Sequence, residues 1–190
     1  MIEKFTFDIH MAATSGILRE LKKGTNDYVA SGEAKKKLIL AKDDFELRDH
    51  VAMKLMAFML FYDPGMQVEV DMGMHYKPDL VIAPPGEAIQ LWVDCGKIAV
   101  KKVESLSVKL HHARFVIVKS TPAELNSFRK VIDKKVERSA KIEYLAFDKG
   151  FIPSVGQAFA RTNQVTLYEA AEGILGLALN GEIFETALHR

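Results

Sequence analysis

KPDLVIAPPGEAIQLWVDCGK, residues 77–97, is the stretch whose reading decides the fold. DLVIA (79–83) and IQLWVD (89–94) are rich in β-branched and aromatic residues and read as strands, and Pro84, Pro85 and Gly86 break the chain between them. If Gly86-Glu87 form a two-residue type II′ turn, Asp79 pairs directly with Asp94, with Cβ atoms about 5 Å apart. Pro84 and Pro85 cannot donate ladder hydrogen bonds, which weakens that register. Two ionised carboxylates so close repel unless a proton or cation lies between them. A hard divalent ion such as Mg²⁺, bound by carboxylate oxygens, a backbone carbonyl and waters, removes that cost.

Upstream, the spacing of Leu47, Val51, Leu55, Phe58 and Tyr62 predicts a helix, with Asp43 or Asp44 as its N-cap and Glu46 in its first turn, stopped by Asp63-Pro64-Gly65. QVEVDM (67–72) reads as a further strand. Downstream, residues 99–112 read as a helix with Val103, Leu106 and Leu110 as its apolar stripe, and RFVIVK (114–119) as a buried strand. Thr121-Pro122-Ala123-Glu124 opens a helix running towards Arg138. KFTFDIHMA (4–12) alternates like a half-buried strand, and Lys22 to Lys36 reads as a loop before KLILA (37–41). IEYLAF, QVTLYEA, EGILGLAL and EIFETAL supply strands near the end, with Asn180-Gly181 a hairpin turn.

Pro78-Asp79, then Asp94 and a glycine with lysines close by, resemble the PD-(D/E)XK nuclease motif. With Glu46 beside HVAMKLMAFMLFY, followed by YKPDLV, IQLWVDCG, the pair Lys101-Lys102, ARFVIVK and the terminal strands, nearly the whole chain resembles the YaeQ family. The resemblance implies an α/β fold: a restriction-endonuclease-like core over about residues 43–120, a mixed β-sheet flanked by helices, and extra strands from the N- and C-terminal segments of a single domain spanning 1–190. It implies that Glu46, Asp79 and Asp94 are the motif carboxylates and the ligands of Mg²⁺ or Mn²⁺. The motif asks for a lysine two residues after its second carboxylate, where this chain has Gly96. Lys102, on the helix that follows, is the favoured replacement, because a flanking helix can point a long side chain back over the strand ends. Lys97, in the loop, is the fallback. Such a lysine would stabilise charge developing on phosphate or orient the attacking water.

Read one by one, these residues have plain alternatives. Asp after proline is a common turn residue, Asp at a strand end a common cap, and Glu46 a favourable helix-dipole charge. His50 and Lys54 follow Glu46 at one-turn intervals and read as a solvated polar stripe. Lys97, Lys101, Lys102, Lys109, His111, His112 and Arg114 form a basic run that would suit phosphate contact, or would simply be a solvated helix face. The methionines at 53, 56, 59, 66, 72 and 74 and Trp92 read as core filler. Cys95 reads as packing, since the neighbouring Asp94 charge disfavours a thiolate.

The 190 residues are 48% hydrophobic and 27% charged, the balance of a globular domain large enough to bury about 70% of its unfolded surface without disulfides. One cysteine excludes cysteine-built zinc sites, and 26 basic against 25 acidic residues argue against a broad nucleic-acid coat. No apolar run of signal-peptide or membrane-span character occurs, so a cytosolic protein with no membrane partner is expected. No glycine-rich phosphate loop, zinc-helix motif or serine elbow is present. Two function classes follow: a metal-dependent nuclease hydrolysing phosphodiester bonds in nucleic acid, or a catalytically inactive nuclease-fold module that binds or regulates nucleic acid or protein.

Overall fold

A computed structural model describes residues 2–11, 34–170 and 173–190. It is a mixed α/β fold whose chain divides into two compact units, Met1–Tyr62 with Gly150–Leu188, and Asp63–Lys149 with His189–Arg190.

In the first unit the strands run in the order β2 (Ala34–Lys42), β1 (Glu3–Met11), β8 (Thr162–Glu169), β9 (Ile174–Leu179), β10 (Glu182–His189). β1 is antiparallel to β2 and parallel to β8, and β8, β9 and β10 form an antiparallel meander. The alternation in β1 buries Phe5, Phe7, Ile9 and Met11 on one face. β2 begins at Ala34, so Lys35 and Lys36 belong to a strand rather than the expected loop, because a full ladder with β1 extends it; the rest of that loop lies outside the described residues. Asn180 and Gly181 take positive φ of 53° and 88°, the pattern of a type I′ hairpin turn.

Helix α1 (Arg48–Leu60) starts later than the sequence spacing predicts. Asp43 Oδ1 accepts from the backbone N–H groups of Phe45 and Glu46, closing a local turn before the helix, and Leu47 takes the N-cap position. Glu46 therefore precedes the first turn. From Val51 to Leu60 every residue of α1 is buried. Against it packs α4 (Phe151–Gln157), a short helix the sequence reading missed. A Cβ on Gly156 would lie 3.3 Å from the Arg48 carbonyl carbon, so glycine permits this close approach.

In the second unit the order is β3 (Met66–Val68), β4 (Leu80–Ile82), β5 (Leu91–Cys95), β6 (Arg114–Lys119), β7 (Ile142–Phe147). The β3–β4–β5 pairs are antiparallel and the β5–β6–β7 pairs parallel. β3 stops short of the expected span because Glu69 adopts φ +50°, incompatible with a continuing strand. The parallel crossovers are helices α2 (Val100–Lys109) and α3 (Pro122–Lys135). Thr121 Oγ1 caps α3 by accepting from Glu124 N at 3.2 Å, and the helix ends at Lys135, short of Arg138. The apolar stripe Val103, Leu106 and Leu110 joins Trp92, Phe115, Ile117, Leu125 and Ile132 in one core cluster. Met53, Met56, Met59 and Met66 are buried, and Met72 and Met74 pack at the edge of that second core. Among the described residues no helix is long and apolar enough to cross a membrane.

Candidate functional site

β5 supplies the central feature of the second unit. All five residues of LWVDC are buried, as expected of a strand flanked on both sides, and one of them is an aspartate. β4 pairs with β5 as Leu80 to Val93, Val81 to Trp92 and Ile82 to Leu91, the register that continues to Asp79 opposite Asp94. The turn that achieves it differs from the expected one. Glu87 N donates to Pro84 O, so the central residues are Pro85 and Gly86, the latter at φ +78°, in a type II pattern rather than a type II′ turn at Gly86-Glu87. The longer connection, closed by Gln90 N donating to Ile82 O, is symmetric about the same point, so the register survives the change of turn.

Asp79 stands just before β4, its N–H bonded to Val93 O and its carbonyl accepting from Glu69 N. Its Oδ2 accepts the backbone N–H of Cys95 at 2.6 Å, which ties the carboxylate to the residue after Asp94. Asp94 shares a strand face with Trp92, which packs against α2 residues, and so Lys102 in the first turn of α2 reaches it. Lys102 Nζ lies 2.8 Å from Asp94 Oδ1 and 3.0 Å from the Lys77 carbonyl. A helix N-terminus is the unfavourable end for a cation. Pairing with Asp94 offsets that.

Burial pushes the Asp94 pKa up to about 6; Lys102 opposes the shift, Asp79 adds a smaller rise, and the Trp92 indole N–H slightly favours the ionised form. Repulsion from Asp79 therefore acts in the direction expected from the sequence, but burial is the larger cause. Asp94 Oδ2 and Trp92 Nε1 are buried and neither has a partner within full hydrogen-bond geometry, so the indole N–H acts on the carboxylate only as a weak, longer-range donor. A buried carboxylate oxygen without a donor is the atom here with capacity for a further partner.

Position 96, where the motif resemblance asks for a lysine, has a backbone conformation that favours glycine. Its φ of +71° is a left-handed conformation that a side chain disfavours, and its N–H donates to Val118 O. Its carbonyl accepts from Lys119 Nζ, whose ammonium also sits 3.8 Å from the centroid of the Phe128 ring. Burial lowers the Lys119 pKa to about 8, with Glu124, Cys95 and Asp94 pulling it back up. Sequence reasoning passed over Lys119. The available signal was a lysine ending an otherwise apolar, buried strand.

Glu46 belongs to the first unit. Its Oε1 lies 2.6 Å from Lys54 Nζ and 3.7 Å from His50 Nε2. Lys54 is fully buried and also donates to Ala41 O, so the expected solvated stripe is instead an ion pair sealed against α1. Lys97 is exposed, as are Lys101, Lys109, His111 and His112 of the basic run. Arg114 is held by Glu143 through two hydrogen bonds of 2.8 and 2.7 Å, and Lys102 by Asp94. Cys95 is buried, as a packing residue should be. Among the described residues no group of three or more His, Cys, Asp or Glu side chains is arranged to hold a metal ion; Asp79 and Asp94 make a pair.

The family model of the YaeQ protein matches residues 17–186. The chain belongs to the YaeQ family. Two solved YaeQ structures share its fold: that from Xanthomonas axonopodis pv. citri, 15% identical over 98% of this chain and 95% of that one with a TM-score of 0.71, and that from Pseudomonas syringae, 12% identical over 98% and 94% with a TM-score of 0.72. No curated protein matches this YaeQ-family chain.

Proposed function

We propose that this YaeQ-family protein is a metal-dependent phosphodiesterase of the PD-(D/E)XK type with a restriction-endonuclease-like core. Asp79 and Asp94 would hold Mg²⁺ or Mn²⁺, and Lys102 would stand in for the motif lysine. The observation that carries this reading is the Asp94–Lys102 pair, buried beside a second carboxylate. Packing alone gives no reason for it, since an apolar side chain at position 94 would avoid the desolvation cost of the ion pair.

The donor set fits a hard cation held by one or two carboxylates with water completing its shell. Asp94 Oδ2, buried and without a hydrogen bond, is the oxygen such an ion would satisfy. When bound, the ion supplies Lewis acidity and a water of lowered pKa. Lys102 places an ammonium where charge would develop on phosphoryl oxygens, and the N–H of Cys95 keeps the Asp79 carboxylate turned towards the end of β5.

A second reading has an observation of its own. The Lys102 ammonium supplies Asp94 with the counter-charge a metal ion would otherwise give, which suits a nuclease-like scaffold that has lost turnover and binds nucleic acid or protein. Thermal melts with and without Mn²⁺ test the metal. The wild type should be stabilised by mass action and Asp94→Asn should not; no shift in the wild type overturns the metal-dependent reading. If the shift is present, cleavage of single- and double-stranded DNA and RNA in Mn²⁺ decides between the two readings. The enzyme reading expects Lys102→Ala to lower turnover while leaving substrate binding largely intact. A metal-dependent shift with no cleavage of any of these substrates supports the binding module.

A further inference from the structure

The first unit carries a groove that the hydrolytic reading does not use. It has a volume of about 510 Å³ and crosses β2, β1 and β8 over residues 35–37, 8–10 and 164–166. The strand register arranges its polar side chains in two rows. Lys35 stands opposite His10, which stands beside Thr166; Lys37 stands opposite Asp8, which stands beside Gln164. Lys35 and Lys37 are exposed, as are Gln164 and Thr166, while Asp8 and His10 between them are half-buried, so the ammonium groups form one outer wall, the neutral amide and hydroxyl the other, and a carboxylate and an imidazole the floor. Asp8 Oδ2 accepts from Gln164 Nε2 at 3.1 Å. β2 as a whole, AKKKLILAK, contains four lysines and no carboxylate.

Lysines on an edge strand also discourage edge-to-edge pairing, and this explains their presence on a flat surface. Here the charge lines one side of an open groove, which gathers the positive potential along the path of an incoming anion. Lys35 and Lys37, two residues apart on an extended strand, are about 7 Å apart along it, comparable to successive phosphates of an extended nucleic-acid strand. No aromatic side chain is among the described residues lining the groove, so it offers contacts to a backbone and no stacking platform for bases.

We infer that this groove binds the phosphodiester backbone of single-stranded nucleic acid, without sequence preference. The inference is independent of hydrolysis at Asp94.

The test is fluorescence anisotropy of a labelled oligo-dT of about 12 nucleotides, within the usual site size of such grooves, against the full chain over a salt series. Log affinity should fall linearly with log salt, each neutralised phosphate contributing about 0.7 to the slope. The Lys35→Gln/Lys37→Gln variant should lose about 1.4 of that slope and at least about tenfold in affinity at low salt. Both side chains are exposed, and far-UV circular dichroism checks that the variant is folded. Asp8→Asn, which removes the one carboxylate among the described residues lining the groove, should bind tighter by about threefold. Binding is read in EDTA, with no divalent ion present, which keeps this result separate from the fate of the metal reading. No binding by the wild type at low salt, an unchanged slope in the double lysine variant, weaker binding by Asp8→Asn, or equal affinity for a duplex of the same length would each overturn the proposal.

Discussion

The ammonium of Lys102 lies 2.8 Å from Oδ1 of Asp94, yet the carboxyl pKa is pushed up to about 6. Burial outweighs the ion pair. Between the ordinary value of 3.8 and about 6, the folded chain holds more proton at this site than the unfolded chain does, so the contribution of Asp94 to stability falls as pH rises through that window. The cost is fully present above about pH 6 and amounts to about 3 kcal/mol. Asp94→Asn should flatten this part of the stability profile and be as stable as the wild type, or more so, at pH 7. Urea unfolding from pH 4 to pH 7 measures it, and an unchanged profile in the variant would show that Asp94 is not the group responsible.

Lys119 gives the opposite slope at higher pH. With its folded pKa lowered to about 8 from 10.5, the unfolded chain binds more proton between those values, so stability should rise with pH there as the cost of burying the charge is relieved. Lys119→Met keeps the contact with the Phe128 ring, loses the bond to the Gly96 carbonyl, and should remove this rise. Chemical denaturation at pH 7.5, 9 and 10 is the check. A variant that keeps the wild-type rise would place the proton elsewhere.

Glu46 and Lys54 should behave as one unit. Glu46→Gln removes the carboxylate 2.6 Å from a fully buried ammonium and should cost about 3 kcal/mol at pH 7, while Glu46→Gln/Lys54→Met should recover most of that loss. A double-mutant cycle by denaturant titration reads the coupling directly. Additive losses would mean that the pair contributes nothing as a pair, and would return Glu46 to consideration for another role.

A lysine at position 96, where the proposed motif asks for one, should be poorly tolerated. Gly96→Lys places a side chain at φ +71° and should destabilise the chain by about 1 kcal/mol, with Gly96→Ala costing nearly as much, because the penalty is in the backbone. Melting temperatures of the two variants decide this, and a Gly96→Lys chain as stable as the wild type would contradict it.

Much of this molecule follows from local signals. The Thr121-Pro122 start of α3, the apolar stripe of α2, the run RFVIVK and the Asn180-Gly181 turn each occupy a few adjacent residues whose preferences agree, and the structure has them there. The register between Asp79 and Asp94 is the one expected from a type II′ turn at Gly86-Glu87; that turn is replaced by a longer connection with a type II turn at Pro85-Gly86, and the expected pairing holds because that connection joins the same two strand ends. Helix α4 was not legible, because seven residues containing a proline and a glycine give no periodicity to read.

The sequence by itself determined which residues carry charge, which strands pair as neighbours around residues 84–90, and that a glycine follows the Asp94-Cys95 end of the second of them. Only the tertiary structure decided what those charges meet. Lys54 lies at a polar residue's spacing on a helix, but that helix is covered on all sides, so its ammonium had to find Glu46. Lys102 was favoured from its place on the helix after β5, but its contact with Asp94 came from the packing of α2 on Trp92, while Arg114 of the same basic run was turned to Glu143. The physical reason is common to both cases: sequence spacing orders side chains around one element, whereas the desolvation that makes a charge costly, and the partner that offsets it, come from elements distant in the chain.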